Sequence, residues 1–240
     1  AEIQGKFKSV YADNLDNFFA INSKNNLVKF NENGGILYSF DDKSFPVHHA
    51  DFTNPLRILI FNQQQNSIMF LDKTLSVFTE RIQLDQLDIP YTSFVAASRD
   101  NNFWVFDDTK QSLKKYNQQS QQISNSGNLI SVVGENFQPI QIQENENKVY
   151  ALDSLKGLYQ FDYLGTFLFH YKEVIGTRIR INGKNIVFLK DNQLYLYDII
   201  LMEKSKINLP QRLKIVDFAL SQKKLVVLTE QNLQIFRSGL

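Results

Sequence analysis

The chain has 240 residues, 43% hydrophobic and 21% charged with a net charge of +1, which suits one soluble all-β domain spanning 1–240. It contains no cysteine, which excludes disulfides, thiolate metal sites and a thiol nucleophile. No apolar run approaches the roughly 18 residues of a membrane-spanning helix, and the 20 Phe and 10 Tyr favour pleated, half-buried surfaces over helices.

In chain order, Glu2–Lys8 alternates in polarity and precedes a predicted inner strand at Ser9–Asp13. An apolar run Phe18–Asn22 follows, then Leu27-x-x-Phe30-Asn31, a Gly34-Gly35 turn and an outer strand at Ile36–Phe40. The same succession then recurs. The short pattern returns as Ile68-x-x-Leu71-Asp72, Leu113-x-x-Tyr116-Asn117, Leu158-x-x-Phe161-Asp162, Leu194-x-x-Tyr197-Asp198 and Leu233-x-x-Phe236, at intervals of 41, 45, 45, 36 and 39 residues. Each copy follows a nearly continuous apolar run, as a strand buried on both faces requires. Six copies of about 40 residues match the period of a four-stranded blade, which predicts a six-bladed β-propeller of antiparallel blades.

The remaining inner strands are predicted at Ala50–Thr53, Thr92–Ala96, Ile140–Gln143, Arg178–Ile181 and Ile215–Ala219. Pro46, Pro90, Pro139 and Pro210 fall in the linkers or at strand starts, where a missing N–H costs no ladder bond. Only three strands follow Pro210, so the N-terminal segment is expected to supply the outer strand of the last blade and close the ring. A seven-bladed WD-type ring is the competing reading. It lacks support because Gly-His and Trp-Asp marks are absent; the single tryptophan, Trp104, precedes Val105.

Two copies, FFAINSKNNLVKFNENGGILYSF and VYALDSLKGLYQFDYLGTFLFHY, resemble the NHL repeat, with a strand ending in Asp, a hairpin, an apolar-x-x-Phe-Asp strand and a glycine turn. Most of that family's glycines, and the arginine common in its second strand, are missing here. The Asn- and Gln-rich blades without cysteine are also similar to envelope propellers of Bacteroidetes. That resemblance implies a periplasmic or envelope location and a partner in an outer-membrane or secretion complex. A chain starting at Ala1 fits a processed, extracytoplasmic N terminus, whereas absence of cysteine fits envelope and cytoplasm alike.

The sequence offers few groups for chemistry. There is no G-x-S-x-G elbow, phosphate loop, zinc motif or Rossmann glycine pattern. The three histidines are His48 and His49, expected in a linker and pointing to opposite faces, and His170, expected on an exposed outer strand. The expected role is therefore a non-catalytic protein–protein interaction scaffold, not an enzyme, with no cofactor. The alternative, by analogy with propeller lactonases and esterases, is a calcium-dependent or ligand-binding ring. Its channel site would hold Asp51 and Asp217 as metal ligands, with Asp13 and Asn54 nearby. Charge supports a protein partner: residues 172–240 hold twelve Lys or Arg against six Asp or Glu, and residues 1–171 hold fourteen against nineteen. The basic sector makes Arg178, Arg180, Arg212 and Lys214 candidate contacts, with Phe52 and Tyr91 as aromatic anchors. No nucleic acid is expected, because the other blades are acidic.

Overall fold

The computed structural model describes residues 2–31, 33–134, 137–210 and 213–237. They form six four-stranded antiparallel sheets, five of them in sequential strand order, arranged as the blades of a six-bladed β-propeller. Blade 1 comprises Phe7–Ala12, Phe18–Asn22, Leu27–Phe30 and Ile36–Phe40 from axis to rim. The inner strands of blades 2 to 6 are His49–Asp51, Val95–Ala97, Pro139–Asn145, Arg178–Asn182 and Ile215–Leu220.

The ring closes as the strand count requires. Glu2–Gln4 pairs with Asn232–Arg237, with Glu2 opposite Gln234 and Gln4 opposite Asn232, and so completes blade 6. The chain then turns through Gly5 into the inner strand of blade 1, which starts at Phe7, two residues earlier than Ser9. His49 lies within an inner strand rather than a linker, and Pro139 opens one.

In blades 2 and 3 the middle strands are buried along their whole length, as in Ile58–Asn62 with Ser67–Leu71, because neighbouring blades cover both faces. Their apolar residues form clusters centred on the seams. Tyr11, Phe19, Phe52 and Ile60 fill the seam between blades 1 and 2, and Val10, Phe18, Val226 and Leu228 fill that between blades 6 and 1. The Phe52 ring stacks on Phe19 at 4.1 Å; burying one such ring contributes about 2–3 kcal/mol.

Local signals fix the turns. Asn22, Asp107 and Asp153 end their strands and accept backbone N–H bonds from Lys24, Lys110 and Leu155. Gly157 has φ +111°, and a Cβ there would sit 2.6 Å from the Tyr171 carbonyl, so only glycine lets these strands approach. Among the described residues no helix is long and apolar enough to cross a membrane.

Candidate functional site

The inner strands of blades 1, 2, 4, 5 and 6, with Phe94 and Arg99 flanking that of blade 3, line an axial channel of about 740 Å³. Arg178, Arg180 and Asn182 alternate along the inner strand of blade 5 and line it together. Asp217, on blade 6, follows a bulge between Ile215 and Asp217 that re-aims its side chain. Its Oδ1 lies 3.3 Å from Arg180 Nη2 and 3.7 Å from Arg178 Nε. Val10 N–H donates to Asp217 Oδ2 at 3.1 Å, and Arg180 Nη2 donates to the Val10 carbonyl at 3.0 Å. One carboxylate thus ties blades 5, 6 and 1 together. Two guanidiniums share it, so the cluster keeps an excess positive charge, and the Arg178 side chain remains 41% exposed.

His49, on blade 2, projects into the same space with its ring edge-on to Tyr11 at 6.0 Å. Burial and then the charges of Arg180 and Arg178 push its pKa down to about 3, so the imidazole is neutral near pH 7. Burial raises the Tyr11 phenol above its ordinary value, against hydrogen bonding to Ser9. Arg180 lies over the rings of Phe218 at 5.4 Å and Tyr11 at 5.8 Å.

Blade 4 contributes a run of side-chain amides in strand register. Gln141 donates to the Ile179 carbonyl at 2.9 Å and accepts from Ile179 N–H at 3.0 Å, as a neighbouring strand's peptide group would. Gln143 and Asn145 donate to Ile181 and Gly183 carbonyls, each at 3.4 Å. On the opposite seam, Glu144 accepts from Ser98 Oγ at 2.6 Å, Trp104 Nε1 at 2.7 Å and Arg99 N–H at 3.0 Å.

The two predicted metal ligands stand on either side of blade 1, each already engaged. Asp51 accepts the Thr53 N–H at 2.8 Å and bonds to the backbone of Ala97; burial, outweighing those bonds, raises its pKa to about 6. Asp13 and Asn54 cap turns, accepting from Leu15 and Leu56 N–H respectively. Among the described residues no group of three or more His, Asp or Glu side chains could hold a metal ion.

Of the predicted partner contacts, Arg178 and Arg180 meet in the channel. Phe52 is buried in the seam core and Tyr91 is half exposed. Lys214 pairs with Glu230 at 2.7 Å, both exposed. Arg212 lies outside the described residues. His170 is not simply exposed: its ring stacks on Tyr159 at 4.0 Å and its Nε2 meets the Lys156 carbonyl at 2.8 Å. His48 Nδ1 accepts Gln63 N–H at 3.3 Å, and both residues line the channel. Sequence reasoning missed Gln141, Glu144 and the role of His49. The polar residue at every second position of Gln141-x-Gln143-x-Asn145 was the available signal for the first.

No protein-family model matches the chain, and no curated protein matches it. Solved structures do resemble it. A streptogramin B lyase matches with TM-score 0.65 and 11% identity, covering 99% of this chain and 97% of that one. A virginiamycin B lyase from Staphylococcus aureus matches with TM-score 0.59 and 11% identity over 94% of this chain and 78% of that one. A protein of unknown function from Bacteroides thetaiotaomicron matches with TM-score 0.68 and 11% identity over 98% and 70%. At this identity the likeness is one of fold.

These neighbours correct the expectation that the chain is not an enzyme. Two of them are lyases on the same architecture, so a missing catalytic motif gives no ground for setting catalysis aside. Groups that meet in an axial channel come from strands some forty residues apart and leave no short motif in the sequence.

Proposed function

We propose that the axial channel binds a small molecule carrying a carboxylate, with Arg178 and Arg180 supplying counter-charge and His49 a proton-transfer group. The observation that carries this reading is the shared carboxylate. Among the described residues Asp217 is the one carboxylate that Arg178 and Arg180 meet, at 3.7 and 3.3 Å, and Arg178 lines the channel. A guanidinium fork binds a carboxylate through paired, charge-assisted bonds. With a pKa of about 3 the His49 imidazole is by itself a weak base; a bound carboxylate would offset the Arg180 and Arg178 charges that help to hold it there and so make it a better proton acceptor, while the guanidiniums offset negative charge that develops on the bound molecule. That streptogramin B and virginiamycin B lyases use this ring architecture supports placing acid–base chemistry in the channel. Chemistry of this kind needs no activated nucleophile, in keeping with a chain that has no cysteine and no nucleophile elbow.

The test is calorimetric titration at low ionic strength with succinate and with its neutral diamide. Succinate is expected to bind and the diamide not. Arg178→Gln, at a partly exposed side chain, should weaken succinate by roughly tenfold to a hundredfold, the worth of about 1.5–3 kcal/mol for a charge-assisted bond. Equal binding of acid and diamide, or an unaltered affinity in Arg178→Gln, would defeat the reading.

A further inference from the structure

The channel wall is not uniform around the ring. Arg178 pairs with Leu189, one residue before the end of the neighbouring strand of blade 5. Phe94 holds the corresponding place in blade 3, where its carbonyl accepts from Phe106 N–H at 3.1 Å. Ile140 sits in the bulge between Pro139 and Gln141, which face Asp153 and Leu152 at the same level of blade 4. Blades 3, 4 and 5 are consecutive. Phe94, Ile140 and Arg178 thus form one arc at one mouth of the channel, and all three line it.

Two members of that arc are apolar and only half-buried, namely Phe94 and Ile140. The strand that follows Phe94, Val95–Ala97, carries no polar side chain. Gln141 is buried, and both ends of its amide are bonded to Ile179. Arg178 gives Nη1 to the Thr177 carbonyl at 2.8 Å, and its side chain stays partly exposed beside the arc. The other mouth is different, with Asp13, Asn145, Asn182 and Ser221 in its lining. In a binding cavity a few placed polar groups fix a ligand's orientation and apolar walls cover its body. Here the placed group is a cation, and the apolar wall lies to one side of it.

We infer that the ligand of the channel is a carboxylic acid with a hydrophobic body, its carboxylate on Arg178 and its body against Phe94 and Ile140. This rests on the carboxylate site proposed above and adds the class of acid that the site selects. Burying an apolar group on this wall removes surface of both partners from water, whereas a short polar acid leaves Phe94 and Ile140 wet.

The experiment is calorimetric titration of the intact protein with 3-phenylpropanoate, propanoate and 3-phenylpropanamide, alongside succinate. 3-Phenylpropanoate should bind at least about tenfold more tightly than propanoate, the worth of a partly buried ring. Succinate should compete with it, and the amide should not bind. Phe94→Ala should cut the ratio of the two affinities to about threefold or less. Ile140→Thr should lower it about twofold, and decides the matter if Phe94→Ala fails to fold. Succinate binding with no preference for 3-phenylpropanoate over propanoate overturns this inference and leaves the carboxylate site standing. So does a preference that succinate does not compete away, or one unaltered in the variants. Failure of every acid to bind, or equal binding of the amide, overturns the carboxylate site and this inference together.

Discussion

Asp51 and Asp217 occupy comparable places, on the inner strands of the blades that flank blade 1, and both are buried. Their surroundings differ. Asp217 faces two guanidiniums and a backbone N–H from the next blade. Asp51 accepts from the backbone and side chain of Thr53 and the backbone of Ala97, with no ion-pair partner among the described residues, and burial raises its pKa to about 6. The same residue type thus serves as an ionic clamp on one side of blade 1 and, on the other, as a hydrogen-bonded carboxyl whose pKa lies much nearer neutrality. Burial alone does not set the character of a carboxylate; the cation beside it does.

Breaking that contrast should have its largest effect at the clamp. Asp217→Ala leaves Arg180 without its counter-ion and Val10 N–H without an acceptor. A loss of about 3 kcal/mol is expected in urea unfolding, and Arg180→Met in the same chain should recover part of it. Next in size is Glu144→Gln, which keeps one acceptor oxygen for three donors. It should cost about 1–2 kcal/mol and alter Trp104 emission.

The pH dependence of stability sharpens the comparison further. Asp51 has a folded pKa above its unfolded value of 3.8, so the folded state binds more protons between about pH 4 and 6. Its contribution to stability therefore falls as pH rises through that window. His49 has a folded pKa of about 3 against 6.5 unfolded, so the folded state binds fewer protons there and stability falls as pH drops below 6.5. Each slope is at most about 1.4 kcal/mol per pH unit, with opposite signs. Asp51→Asn should therefore steepen the loss of stability from pH 6 to 4, and His49→Asn should reverse its sign, as read by melting temperature across that range. The smallest effect belongs to the rim: Lys214→Ala removes an exposed pair with Glu230 and should change stability by less than about 0.5 kcal/mol.

The ring was legible because its signals are local and repeated. Leu27-x-x-Phe30 and its five successors mark middle strands, and the strand deficit after Pro210 implied closure by the segment Glu2–Lys8, of which Glu2–Gln4 forms the strand. Inner-strand edges were less legible. Bulges at Phe7/Ser9, Pro139/Gln141 and Ile215/Asp217 interrupt the alternation from which such edges are read. The channel was legible only in part. Arg178 and Arg180 were visible as a pair in one strand, whereas their meeting with Asp217 and His49 depends on the ring bringing blades 5, 6 and 2 to one axis. Phe52 shows the opposite failure: an aromatic at a strand end looks like an anchor, but here it packs between blades 1 and 2.

The shared sixth blade also constrains the order of assembly. Glu2 and Asn232, whose side chains bond each other, are 230 positions apart, so the strand at Glu2–Gln4 must wait for a partner made 230 residues later. Until then blades 1 to 5 can form from hairpins of neighbouring sequence, but the faces of blades 1 and 5 that blade 6 covers remain open. Joining them is the most non-local event in folding, and pairings of that separation are the slow ones. The clasp that seals the ring is thus also its latest step, and the interval before it closes is when a nascent chain is most exposed to mispairing or to a helper that guards its edges.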